Sequence, residues 1–261
     1  MVNKPIEFNN ADNYERFMGV WSRSAGELFL DWLAPKKSLR WIDVGCGSGA
    51  FTNSVLQRCL PVGIVGIDPS KDLIEFASKT QYRDLCKFQI GGATDLPFDD
   101  NSFDVACMAL VLFFVPDPLA GVKEMCRVVV KGGLVAAYTW DVFGGGFPAH
   151  HIQEEMRLMG YSPTLPPSSE ASRMAVMQEL WTKGGIEAIE VKQINVERQF
   201  SNFDEYWEIT CLSPSLTASF AGMSSDAVED VKRRLKEKVL PDEDGNITIS
   251  AHANAIKGKV A

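Results

Sequence analysis

Several marks of specialised chemistry are missing from these 261 residues. The six cysteines, Cys46, Cys59, Cys86, Cys107, Cys126 and Cys211, include no C-x-x-C pair. A structural zinc site needs such close ligand pairs, so no metal centre is expected. A secreted disulfide scaffold is shorter and denser in cysteine. The thiols therefore read as reduced and mostly buried, which suits a cytoplasmic protein. An excess of basic residues is also lacking: 26 Lys and Arg stand against 34 Asp and Glu, a formal net charge of −8. Nucleic-acid-binding domains present a net basic face, so a nucleic-acid partner is not expected. The longest apolar run, Val105 to Val115, falls far short of the roughly 20 residues of a membrane span. Met1 to Asn10 lacks the basic-then-apolar order of a signal peptide.

The residues that are present, 46% hydrophobic and 23% charged, suit a globular chain with a sizeable core. The dense basic run, Lys232 to Lys238, includes Glu237 and is interleaved with apolar Val231, Leu235 and Val239. That pattern reads as the wet side of an amphipathic helix rather than a phosphate track.

Along the chain, Asn13 to Leu33 has apolar residues at helical spacing, and Pro35 stops it. Strands are predicted at Leu39–Val44, Gly63–Ile67, Cys86–Ile90, Phe103–Leu112 and Leu134–Thr139. Between them lie helices at Ala50–Gln57, at Pro69–Lys79 with Ser70 as cap, and at Leu119–Val129, and Gly132-Gly133 is read as the turn into the fifth strand. Alternating strand and helix argue for a parallel sheet covered on both faces. Beyond it come a flexible Gly144–Gly146 loop and a Pro163–Ser169 connector. A helix is expected at Ser172–Lys183, a long strand at Ile186–Arg198, mostly helix over Phe203–Val239, and a last strand over Asn246–Val260.

The chemistry concentrates at Trp41-Ile42-Asp43-Val44-Gly45-Cys46-Gly47-Ser48-Gly49-Ala50. Glycines at a strand-to-helix turn let the backbone bend sharply and let a ligand approach the main chain. The string also fits the dinucleotide pattern G-x-G-x-x-A. Asp68 follows at the end of the second strand, where a carboxylate can accept from two ribose hydroxyls. An adenosine-containing ligand follows under either reading, nicotinamide cofactor or otherwise. Asp43 separates them: its carboxylate repels a pyrophosphate and favours an ammonium or sulfonium. It also reads as an ordinary loop-capping aspartate.

Three strings, Asp43 to Gly49, Gly66-Ile67-Asp68-Pro69-Ser70 and Leu96-Pro97-Phe98-Asp99-Asp100-Asn101-Ser102-Phe103-Asp104-Val105, closely resemble successive motifs of class I S-adenosylmethionine (SAM)-dependent methyltransferases. The likeness is to the small-molecule branch that includes ubiquinone-biosynthesis-like enzymes. Glu124-Met125-Cys126-Arg127-Val128, followed by Lys131-Gly132-Gly133, matches as well. Tyr14-Glu15-Arg16-Phe17-Met18-Gly19 resembles the N-terminal lid of some members.

The resemblance implies an α/β fold: a Rossmann-like, seven-stranded, mostly parallel sheet with helices on both faces, a helical cap or insertion and an antiparallel final strand pair. It implies a single domain over residues 1–261, with lid helices in 1–38, a cofactor-binding core in 39–142, and a substrate cap and C-terminal strands in 143–261. It implies SAM as cofactor. Gly45, Cys46 and Gly47 would pass beside its methionyl and ribosyl parts, Asp43 would face its ammonium, Asp68 its ribose, and Pro69 its adenine. Relatives commonly carry an acidic residue where Gly92 stands. Here Ala93 offers a backbone N–H, and Thr94 or Asp95 an acceptor. Met108 and Leu110 would line the methionine side. Arg23 is a candidate for the SAM carboxylate; it and Arg16 also read as part of a solvated helix face.

Methyl transfer from a sulfonium needs a base only if the acceptor arrives protonated, since alignment supplies much of the rate. His150 and His151 are the candidate bases, with a surface helix-start pair as the other reading. Trp21, Trp140, Phe143, Phe147, Tyr206 and Trp207 are candidates for contact with a flat or apolar small-molecule acceptor, or else plain core. A non-catalytic SAM-binding module and a nicotinamide-dependent oxidoreductase remain the rival functions. Oligomeric state is not legible.

Overall fold

The computed structural model describes residue 13, residues 15–79 and residues 84–261. Tyr14 and the segment Met1 to Asn10 lie outside the described residues. The chain divides into two compact units. The first, called here the sheet unit, comprises Ser22–Asp141, Pro167–Ile194 and Ala253–Ala261. The second comprises the described residues through Trp21, Val142–Pro166 and Asn195–His252.

Seven strands form one sheet in the order β3-β2-β1-β4-β5-β7-β6. They are β1 (Arg40–Val44), β2 (Gly63–Asp68), β3 (Cys86–Ile90), β4 (Phe103–Ala109), β5 (Val129–Trp140), β6 (Ile186–Phe200) and β7 (Ile247–Val260). β1 pairs in parallel with both β2 and β4, β2 with β3, and β4 with β5, whereas β7 runs antiparallel to β5. Parallel neighbours need crossovers. These are α2 (Ala50–Cys59), α3 (Lys71–Ala77) and α4 (Pro118–Val128), with α1 (Val20–Leu33) ahead of the sheet. Ser70 caps α3 through Leu73 N, as expected, and Asp117 caps α4 through Ala120 N with Pro118 at its first position.

Both faces of the sheet are covered, as alternate residues of β5 show. Tyr138 meets the rings of Phe29 on α1 and Phe51 on α2 at 4.7 and 6.0 Å. Its neighbour Thr139 points the other way, to the sulfur of Met177 on α6 (Met174–Lys183). Trp181 of α6 donates its indole N–H to Val135 O at 3.1 Å. A strand covered on both sides is apolar throughout, which explains the near-continuous hydrophobic runs of β4 and β5.

Two strand boundaries differ from the sequence reading. β4 stops at Ala109, because Leu110 turns to a positive φ of 62° and Leu112–Phe114 close a 3₁₀ turn. β5 begins at Val129, with no separate turn at Gly132-Gly133. Val129 pairs with Phe103 and Leu134 with Val105, so the four residues between are accommodated opposite Asp104. Gly132 takes φ +75°, and a Cβ at Gly133 would sit 2.7 Å from Asp104 O. The glycines make a bulge within the strand.

The second unit holds a π-helical turn at Glu15–Gly19, then α5 (His150–Leu158), α7 (Phe203–Cys211), α8 (Pro214–Phe220) and α9 (Ser225–Lys238). The expected wet face of α9 is borne out: Ala227, Val231 and Leu235 are buried while the basic run faces outward. That run is taken up by ion pairs. Lys232 meets Asp204, Arg233 meets Asp230 and Glu237, and Lys238 meets the buried carboxylate of Glu155 on α5.

Candidate active site

In an open parallel sheet, ligands bind where neighbouring crossovers leave in opposite directions, outside the carboxyl ends of the strands. Here that point is β1, flanked by β2 and β4. The glycine loop leaves β1 there and is tied to β2 by Gly45 N and Cys46 N, which donate to Ile67 O at 2.7 and 3.0 Å. Gly45 has φ +80°, and a Cβ on it would lie 2.4 Å from Val111 Cγ1. Gly47 has φ +53°, and a Cβ on it would meet nothing within 4 Å among the described residues. The first glycine is thus demanded by packing. The second opens the main chain to a ligand.

Asp43 is only 1% exposed. Its Oδ2 accepts from Thr52 Oγ1 of α2 at 2.5 Å, and its Oδ1 has no partner among the described residues. Burial pushes the carboxyl up to about 7; the Thr52 hydrogen bond opposes this and the nearby Asp68 adds to it. A buried acceptor without a donor is costly, and a cation brought by a ligand removes that cost. Asp68 has both oxygens engaged by main chain, accepting from Gly47 N at 3.0 Å and Ser70 N at 2.9 Å. Each ionised oxygen keeps a further lone pair. Burial raises the Asp68 carboxyl, and the two N–H groups pull it back. Asp68 and Asp43 are therefore brought together around one loop. Cys46 beside them is buried, and desolvation drives its thiol far up, so it stays neutral. These acceptors suit SAM. A lone carboxylate oxygen faces an ammonium better than a pyrophosphate, and Gly47 gives the close approach.

The remaining expectations are distributed as follows. Pro69 is exposed between Asp68 and α3; Gly92 and Thr94 are exposed and Ala93 half-buried. Met108 is fully buried, its Cε 3.2 Å from the position a Cβ would take on Gly121 of α4. Leu110 donates its N–H to Tyr138 O at 2.8 Å. Arg23 is exposed on α1. Trp140 closes β5, fully buried, with Nε1 unpartnered among the described residues. All of these belong to the sheet unit.

His150, His151, Trp21, Phe147, Tyr206 and Trp207 belong to the second unit. Burial, together with His151, Arg157 and His252, holds the His150 imidazole below its usual range, with Glu154 opposing. Its Nδ1 is buried without a partner among the described residues, and its Nε2 lies 3.8 Å from Glu154. A neutral imidazole with a free nitrogen is competent as a base. Its ring is 5.8 Å from that of His151. Phe147 meets Phe17 edge-on at 6.3 Å. Tyr206 is fully buried against Phe200 and Phe203, with its hydroxyl unpartnered among the described residues. Trp207 stacks on Phe220.

One group escaped the sequence reading. Glu124 and Arg127 matched a motif but had no role. In the structure they bind the Leu96–Asp100 segment: Leu96 N donates to Glu124 Oε2 at 2.8 Å, and Arg127 donates to Leu96 O and Phe98 O at 2.8 and 2.7 Å. The available signal was their i,i+3 spacing on a helix, which makes an ion pair but does not name its target.

Residues 42–137 match the family described as a methyltransferase domain. The demethylmenaquinone methyltransferase of Staphylococcus aureus is 35% identical over 129 residues, 49% of this chain and 52% of that protein. The chain thus spans about half the length of the curated relatives it matches. Among solved structures, the YcgJ protein of Bacillus subtilis superposes with a TM-score of 0.60 at 19% identity, covering 90% of this chain and 97% of that one. A phosphoethanolamine N-methyltransferase of Haemonchus contortus, bound to phosphomonomethylethanolamine and S-adenosylhomocysteine (SAH), gives 0.59 at 18%, over 95% and 56%. Residues 42–137 thus resemble a methyltransferase domain, and the chain shares the α/β, Rossmann-like fold of these solved structures.

Proposed function

We propose that the protein transfers a methyl group from SAM to a small-molecule acceptor. The observation that carries this is Asp43: a buried carboxylate, with one oxygen unpartnered among the described residues, at the topological switch point beside the open main chain of Gly47. Asp43 holds the ammonium, Gly45, Cys46 and Gly47 flank the methionyl and ribosyl parts, and Asp68 takes the ribose hydroxyls. Pro69, Ala93 and Thr94 meet the adenine, while Met108 and Leu110 border the methionine side. Arg23 contributes to the carboxylate. Bound SAM supplies an electrophilic methyl on a sulfonium. The protein's part is to hold the acceptor's nucleophilic atom in line with it.

Acceptor specificity is assigned to residues 143–261, with Trp21, Trp140, Phe147 and Tyr206 as contacts. Buried aromatics of this kind suit a flat or apolar acceptor, and the named acceptor of the S. aureus relative is a quinone derivative. His150 takes the proton where the acceptor arrives protonated, with His151 as the alternative. The reduced thiols and acidic charge fit a cytoplasmic enzyme.

A screen of quinol, phenol and amine acceptors with radiolabelled SAM tests the reading. Label is expected in one class and is lost in Asp68→Ala. A second reading, a SAM-binding module without catalysis, is favoured by Gly92, where no side chain meets the base. Saturable SAM binding with no label transferred to any class would support it. His150→Ala is expected to lower turnover at neutral pH, where the imidazole is uncharged, and least at low pH, where the wild-type imidazole is itself protonated; rates unchanged from pH 6 to 9 would remove His150 from the mechanism.

A further inference from the structure

The segment that follows β3 is unusual in what it lacks. Gly92 brings no side chain, and a Cβ placed there would meet nothing within 4 Å among the described residues. An aromatic base arriving at this segment finds main-chain N–H and C=O groups. Such groups select a ligand only if held in place, because a hydrogen bond weakens steeply with distance and angle.

Residues 91–95 are anchored at both ends. At one end Gly91 N donates to Asp68 O at 3.1 Å, which ties the segment to β2. At the other, Leu96 N donates to Glu124 Oε2 at 2.8 Å, which ties it to α4. Arg127 completes the second anchor. Its Nε and Nη2 hold the two Glu124 oxygens at 2.8 Å each, and Nη2 also reaches Leu96 O at 2.8 Å. Its Nη1 reaches Phe98 O at 2.7 Å and Asp100 Oδ1 at 2.9 Å. Its own carbonyl accepts from Asn101 N at 3.0 Å. One planar fork thus fixes four groups on the far side of the segment, an arrangement that a lysine's single ammonium cannot reproduce. The same pairing holds the Glu124 carboxyl below the usual carboxylate range.

We propose that Glu124 and Arg127 are positioning residues for the cofactor's base: by clamping the segment at Leu96 they fix the main-chain groups of residues 92–95, which read the adenine edge in place of a side chain at Gly92. The proposal rests on the SAM reading above. It makes the clamp more important here than it would be in a chain with an acidic side chain at that position.

The test is calorimetric titration of SAH and of adenosine into wild type, Arg127→Lys, Glu124→Gln and the double variant Gly92→Asp/Arg127→Lys. Wild type binds both ligands. Each clamp variant is expected to lose about tenfold for both, the scale of one well-placed hydrogen bond. Adenosine suffers as much as SAH because the loss lies at the base. Amide exchange at residues 92–95 accelerates in the clamp variants. The double variant recovers most of the loss, because a carboxylate at position 92 restores a side-chain acceptor. A merely structural lesion would not be rescued this way. Clamp variants within twofold of wild type, a loss confined to SAH, or no recovery in the double variant would each overturn the proposal. Wild type silent toward SAH would overturn the cofactor reading and the clamp with it. Binding by wild type with unaltered clamp variants overturns the clamp alone.

Discussion

A carboxylate as deeply buried as Asp43 couples the site to pH. In the ligand-free protein it titrates near 7 because burial disfavours its charge. A bound ammonium needs that charge. SAH affinity is therefore expected to fall as pH drops below about 7, approaching tenfold per unit, and to level off above it. Asp43→Asn is expected to bind weakly and without this dependence. Dissociation constants measured from pH 5.5 to 8.5 decide it, and a flat wild-type profile would remove Asp43 from the ammonium site. The same shift affects stability with a definite sign. The folded protein keeps a proton that the unfolded chain has lost, so Asp43 lowers stability as pH rises from about 4 to 7. The destabilisation is fully present above 7. Asp43→Asn should be relatively more stable at pH 8 than at pH 4, read from urea midpoints. The type and place of this residue were legible in the sequence. Its missing partner was not, because burial and hydrogen bonding belong to the folded chain. Gly45 was legible as a glycine for a similar reason to Gly47, yet the two differ: one packs under Val111 and the other faces open space. Gly45→Ala is expected to cost roughly 2 kcal/mol or more from positive φ and overlap combined, seen as a lowered urea midpoint. Gly47→Ala should cost less stability and more SAH affinity.

Among the elements, strand–helix alternation placed β1 to β5 and the crossovers α2 to α4 nearly as they are. The misread boundaries came from glycines and one leucine. Gly132-Gly133 signals a turn in any local reading, but pairing with β4 turns it into a bulge. Leu110 is apolar enough to extend β4, but its backbone has left the strand. The insertion of β7 between β5 and β6 has no local signature at all, since strand order is set by long-range pairing; here the family resemblance implied a final antiparallel pair. In the second unit, α9 is joined to α5 through Glu155, 2% exposed, which is gripped by Lys238 with Arg234 at 3.9 Å. Removing one partner of a buried ion pair leaves a charge stranded, whereas removing both leaves little. Lys238→Met is expected to destabilise by about 1–2 kcal/mol, discounted because Lys238 is more than half exposed. Glu155→Gln/Lys238→Met should recover part of that loss in urea unfolding. Equal or additive losses would show the carboxylate to be well solvated without Lys238.

At the scale of the whole molecule, fold and chemistry must be kept apart, because one scaffold carries many activities and only the site distinguishes them. The acidic balance and the absence of C-x-x-C pairs narrowed the class of partner from composition alone. The acceptor was not legible, because the residues assigned to it read equally as core until they are placed, and several are core-like even then: Trp21 and Tyr206 are both fully buried. The central proposal is SAM as cofactor, and its most direct test is a calorimetric titration of the protein with SAH, beside Asp68→Ala and beside NADH. The account predicts one saturable site for SAH in wild type, loss of that binding in Asp68→Ala, and no heat with NADH. Wild-type protein that binds NADH, or that gives no binding with SAH across pH 6 to 9, would contradict it.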